Sequence, residues 1–165
     1  LAPPEVLLAI VPRHPQRFDD VAALVAARGI ALQRRSADEP VAAATRVWLG
    51  DSMGEMFAYY HAADVALIGG SWLEFGGQNL IEACAVGTPV IVGPHTYNFA
   101  QVAEQALAVG AALRASDAER GIAEGLALLA DTEGRAAMAA AGARYAEGDR
   151  GATQRTVDLI EALVA

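Results

Sequence analysis

Glu82 stands three residues after Asn79, just beyond two glycine pairs, Gly69-Gly70 and Gly76-Gly77, and this spacing of residue types suits the binding of a nucleotide. A glycine pair lets backbone amides come close to an anion, and a helix opening after it adds about half a positive charge at its N-terminus. On that helix Asn79 and Glu82 share one face, and a carboxylate there can accept two hydrogen bonds from a sugar diol while the loop holds a phosphate. Further loops carry polar chemistry. Pro12-Arg13-His14-Pro15 supplies a cation, with Arg17 close behind; in Gly50-Asp51-Ser52-Met53-Gly54-Glu55, Gly54 lets the backbone approach a flat base or ribose beside an adaptable methionine; and Gly69-Gly70-Ser71 ends an apolar stretch. His95, Tyr97 and Asn98, after Gly93-Pro94, form a polar loop suited to the hydroxyl or carboxylate groups of a sugar acid. Two readings stand side by side at two of these loops: Arg13 is a ligand contact or a surface arginine, and Glu55 is a ligand contact or the acidic member of a capping box with Asp51 or Ser52. His61, at a helix end, is read as a dipole partner.

The elements that must position these loops alternate along the chain. Strands are expected at Glu5–Val11, Ile30–Arg34, Val47–Leu49, Val65–Ile68, Val90–Val92 and Ala111–Leu113, with helices at Asp19–Arg28, Met56–Ala62 and Asn79–Val86. That alternation implies a parallel sheet covered on both faces, a Rossmann-like three-layer α/β domain of about six strands occupying 1–165, and such sheets bind ligands at the C-terminal ends of their strands. Several loops at that edge can therefore converge on one ligand. The alanine-rich stretches Asp117–Ala130, Glu133–Tyr145 and Gly151–Val164 are expected to pack as a helical cap over about 117–165.

Composition narrows the function. With 165 residues and 54% hydrophobic content the chain can bury a core, and a net charge of −8 without a basic stripe argues against a nucleic-acid surface. The single cysteine, Cys84, rules out an internal disulfide and a Cys/His zinc site, and it reads as a small core residue. No apolar run approaches 18 residues and no signal peptide opens the chain, so a cytosolic location is expected; the start at Leu1, just before Pro3-Pro4, suggests a piece of a longer polypeptide. No GxSxG elbow, Walker A loop or complete GxGxxG is present. Glu55 and Glu82 suit ligand hydroxyls better than proton abstraction, so no catalytic residue and no metal ligand is assigned.

Pro-Arg-His-Pro-Gln-Arg-Phe at 12–18, Gly-Asp-Ser-Met-Gly-Glu-Met at 50–56, Ala-Asp-Val-Ala-Leu-Ile-Gly-Gly-Ser at 63–71 and Gly-Pro-His-Thr-Tyr-Asn-Phe at 93–99 together resemble the 3-deoxy-D-manno-octulosonic acid (Kdo) transferases. The resemblance covers essentially the whole chain. It implies the C-terminal half of a two-Rossmann-domain (GT-B) glycosyltransferase that moves Kdo from CMP-Kdo to a lipid A precursor in lipopolysaccharide synthesis. It further implies CMP contacts at Pro12 and Arg13, at Met53, Gly54 and Glu55, and at Asn79, Leu80, Ile81 and Glu82. The residues themselves suggest Gly76 and Gly77 for the phosphate, Glu82 for the ribose, Arg13 for the phosphate or the cytosine edge, and Ser71, Gln78, His95 and Asn98 for the sugar. The family commonly reads Gly-Gly-His-Asn-Pro-Leu-Glu where this chain has Gln78 for the histidine and Leu80 for the proline, and Gln78 can hydrogen-bond but carries no charge. The resemblance puts the catalytic base, the lipid acceptor and an anchor at the inner face of the inner membrane with an N-terminal domain, and it implies no cofactor beyond CMP-Kdo as donor substrate. Two alternatives are a UDP-sugar glycosyltransferase or epimerase of the same architecture, and a non-enzymatic nucleotide-binding module.

Overall fold

The computed structural model describes residues 3–148, 157 and 160–163. Its chain divides into two units, Leu1–Tyr59 and Tyr60–Ala165, where the sequence suggested one domain. In the first, strands β1 (Leu8–Ile10), β2 (Leu32–Arg34) and β3 (Val47–Leu49) pair in parallel in the order β1-β3-β2. Leu8 and Leu32 both lie opposite Val47, and Ile10 and Arg34 opposite Leu49. The central strand takes the buried positions: Val47 and Leu49 are buried, and Trp48 meets Tyr59 edge-on at 5.5 Å. β1 is shorter and more open than the buried strand expected over Glu5–Val11. Among the described residues it is an edge strand paired only with β3, and Leu8 stays 52% exposed. Helix α1 (Phe18–Ala26) begins with Asp19 and Asp20 in its first turn, where the helix dipole favours acids, and the left-handed Gly29 lies just beyond its end.

The second unit begins within helix α2 (Met56–Ala62). Strands β4 (Ala66–Leu67), β5 (Val90–Val92) and β6 (Ala112–Arg114) are parallel in sequential order, so the six expected parallel strands are shared between two three-stranded sheets. β5 is fully buried along its length because it is central and covered on both faces. The sequence reading missed α4 (Ala100–Ala108), whose strong helix formers bury Ala103 and Ala106 on one face. Helix α5 (Ala118–Ala130) is capped by Asp117, which accepts from the Arg120 amide at 2.7 Å, and α6 (Thr132–Gly148) by Asp131, which accepts from the Gly134 amide at 2.9 Å. Neither is a cap laid over a finished domain. Leu128 of α5 and Met138 of α6 join Ile91 and Ala115 in the core, with Val65 and Trp72 packed against it. Alanine and glycine in α6 serve packing as well as helix formation: a Cβ on Gly142 would lie 3.3 Å from the Cys84 Cα. The expected helix Gly151–Val164 falls largely outside the described residues, of which Val157 and 160–163 are helical.

Candidate functional site

In the second unit the loop leaving β4 is folded back on itself and tied to the loop leaving β5. Gly70, Gly76 and Gly77 all take left-handed φ, at 72°, 79° and 77°, and the Gly77 amide donates to the Gly70 carbonyl at 3.1 Å, joining the two glycine pairs. Ser71 is fully buried. Its hydroxyl donates to the Ile68 carbonyl at 2.6 Å and accepts from the Gly93 amide at 2.8 Å, while its own carbonyl accepts from the His95 amide at 2.9 Å. The approach is so close that a Cβ on Gly93 would sit 2.3 Å from the Ser71 carbonyl oxygen. The sugar contact expected of Ser71 is therefore corrected to a stitch between strand-end loops, because burial removes the hydroxyl from any ligand. Asn98 is exposed, but its side-chain amide donates to the Phe75 carbonyl at 2.9 Å and its backbone amide to the Gly76 carbonyl at 3.2 Å, so it too ties the two loops together. His95 is half-buried beside these loops.

Helix α3 (Ile81–Ala85) begins two residues later than expected. The Asn79 side chain explains this, since its oxygen accepts from the Ile81 amide at 3.0 Å and competes with helical bonding; its nitrogen donates to the Glu82 carboxylate at 3.3 Å. Asn79 and Glu82 are thus adjacent, as their spacing implied, although Asn79 lies outside the helix. Five residues align few peptide dipoles, so the helix-end attraction for an anion is much weaker than a full helix would supply. Leu80 is 1% exposed, whereas Gln78, Ile81 and Glu82 are half-buried. Burial pushes the Tyr60 hydroxyl up to about 12, and the charges of Glu82 and Cys84 add to the effect.

The first unit holds the other candidates. Pro12 is half-buried and Arg13 exposed, ahead of a short 3-10 turn at Pro15–Arg17. Met53 is exposed and Gly54 has φ 81° with open space where a Cβ would stand, so this turn presents bare backbone to its surroundings. Glu55 stands just before α2, where its carbonyl accepts from the Ala58 and Tyr59 amides at 2.9 and 3.1 Å. Its carboxylate meets the Ser52 hydroxyl, the Arg35 guanidinium at 3.1 Å and the Tyr59 hydroxyl at 3.4 Å. The Ser52 bond, opposed by desolvation and aided by Arg35, holds the Glu55 carboxyl below the usual carboxylate range. Asp51 is a structural anion with a side chain 4% exposed, accepting from the Ser36 amide at 2.8 Å and hydroxyl at 2.7 Å, with Arg34 at 3.5 Å. Desolvation raises the Asp51 pKa, but the Ser36 bonds and Arg34 outweigh it and the net shift is downward. Arg34 and Arg35 escaped the sequence reading. Arg34 ends β2 and Arg35 follows it, the same strand-end position that singled out the other loops, so the signal was present.

Residues 6–145 match the family model described as "Glycosyl transferases group 1". The chain is 54% identical to a 3-deoxy-D-manno-octulosonic acid transferase of Bordetella pertussis over 97% of its length and 38% of that protein's, and 38% identical to one of Haemophilus influenzae over 96% and 37%. It therefore spans well under half the length of these curated relatives. Its fold resembles the crystal structure of the C-terminal CMP-Kdo binding domain of WaaA from Acinetobacter baumannii, with 34% identity and a TM-score of 0.82, covering 86% of this chain and 74% of that one.

Proposed function

This chain belongs to the group 1 glycosyl transferases, and on that premise we propose that it is the donor-binding domain of a Kdo transferase, taking CMP-Kdo as its donor substrate. The observation that carries the reading is the likeness to the CMP-Kdo binding domain of WaaA at 34% identity and a TM-score of 0.82. The loops described above give it chemistry. The Gly76-Gly77 turn, whose Gly77 amide is bonded to the Gly70 carbonyl, receives the single phosphate through the Gly76 amide, and Glu82, steadied by Asn79, accepts from the ribose hydroxyls. Ile81 lies beside them, next to the buried Leu80. In the first unit Pro12 and Arg13 remain candidates for the donor's phosphate or cytosine edge. Met53 and Gly54 present an open turn, and Glu55, engaged by Arg35 and Ser52, keeps that turn in shape. Gln78 and His95 remain candidates for the Kdo group.

On this reading the domain holds the donor and the catalytic base lies in the remainder of a longer polypeptide, together with the lipid A precursor site and membrane attachment. Among the described residues no helix is long and apolar enough to cross a membrane. The test is calorimetric titration with CMP, UMP and UDP. CMP should bind best, and a clear preference for UDP would assign the chain to a UDP-sugar enzyme instead. Glu82→Ala should weaken CMP binding about tenfold or more, the loss expected for charge-assisted hydrogen bonds of about 1.5 kcal/mol or above. An unchanged affinity would remove Glu82 from the ribose site.

A further inference from the structure

The Gly76-Gly77 turn has little of its own to hold it. Two successive left-handed glycines are conformationally free, and although both are buried, the neighbouring apolar side chains, Leu73 and Phe75, are 63% and 69% exposed, so apolar side-chain burial adds little to hold the loop. Three consecutive carbonyls are nonetheless captured by two consecutive residues. The Tyr97 hydroxyl donates to Glu74 at 2.5 Å, the Asn98 side chain to Phe75 at 2.9 Å and the Asn98 backbone amide to Gly76 at 3.2 Å. Because a trans peptide sets its N–H opposite its C=O, turning the Phe75 carbonyl toward Asn98 turns the Gly76 amide away from it. The fit is tight: a Cβ on Gly76 would lie 2.4 Å from the Asn98 amide nitrogen and 2.6 Å from the Tyr97 ring. The clamp is itself anchored, since the His95 amide is bonded to Ser71 and the buried Thr96 accepts from Arg114 at 3.2 Å, with Arg114 paired to Glu104 at 2.9 Å.

We propose that Tyr97 and Asn98 are positioning residues that hold the Gly76-Gly77 turn in the shape that takes the donor's phosphate. The inference rests on the donor-binding reading above and adds a role for two side chains that need not touch the ligand. It is tested with Asn98→Ala, Asn98→Asp and Tyr97→Phe in this chain, by amide hydrogen exchange and by titration with CMP and cytidine. The Gly77 amide, protected by the Gly70 carbonyl, should exchange about three- to tenfold faster in each variant, the range expected for one lost hydrogen bond. CMP affinity should fall by a similar factor while cytidine, which lacks the phosphate, binds as before; a general loss of stability would not separate the two ligands. Asn98→Asp keeps the size but loses the donor, so it should behave as alanine does. If exchange at Gly77 and CMP affinity match the wild type, the clamp is overturned while the donor reading stands. If the wild type binds no CMP, the donor reading fails and this inference fails with it.

Discussion

Replacing Ser71 with alanine separates a stitch from a ligand group. The hydroxyl is fully buried, donating to the Ile68 carbonyl at 2.6 Å and accepting from the Gly93 amide at 2.8 Å. Alanine fills nearly the same space, so cavity formation contributes little and the cost is that of the abandoned polar groups. An orphaned buried donor or acceptor costs about 1–3 kcal/mol. The Gly93 amide loses this partner outright, and the Ile68 carbonyl keeps a second lone pair, so about 3 kcal/mol in all is expected. For a chain of 165 residues, at about 2–4 °C per kcal/mol, this lowers the melting temperature by roughly 6–12 °C. Scanning calorimetry measures the shift, and CMP titration well below the transition measures the ligand effect. The bond from the His95 amide to the Ser71 carbonyl survives the substitution, so affinity in the cold should stay within about threefold of wild type. A melting temperature unchanged within 2 °C, together with a tenfold or greater loss of CMP affinity, would refute the reasoning and return Ser71 to the ligand.

Asp51 should contribute a pH-dependent part of the stability. Its folded pKa is below the ordinary value, so the contribution is complete above about pH 4 and is lost as the pH falls through the folded pKa; Asp51→Asn should flatten that part of the acid limb in urea unfolding and cost about 1–2 kcal/mol at neutral pH. An acid limb identical in the two proteins would show that the carboxylate carries no such linkage. Cys84 is buried, and burial pushes its thiol up to about 11, so it should resist Ellman's reagent at pH 8 in the native protein and react fully in urea; rapid native labelling would contradict that burial.

What could be read from the sequence was local. Val47–Leu49, Met56–Ala62 and Val90–Val92 coincide with their expected bounds because short apolar runs closed by glycine, proline or a polar turn leave one natural reading. The glycine pairs were legible for the same reason, since residues at left-handed φ announce themselves by type. The failures concern partners. Nothing near Ser71 in the chain predicts the Gly93 amide 22 residues on, nor does anything near Asn98 predict the Phe75 carbonyl 23 residues back. Arg35 and Glu55, 20 residues apart, likewise form their pair only once β2 and β3 lie side by side in register. A polar residue at a strand end can therefore be assigned to the binding edge from sequence, while its choice between ligand and scaffold is made by the neighbouring strand's loop. The glycine loop likewise takes its shape from outside itself: the groups that capture its carbonyls come from the next crossover, and the bond from Asn98 to the Phe75 carbonyl turns the Gly76 amide away from Asn98.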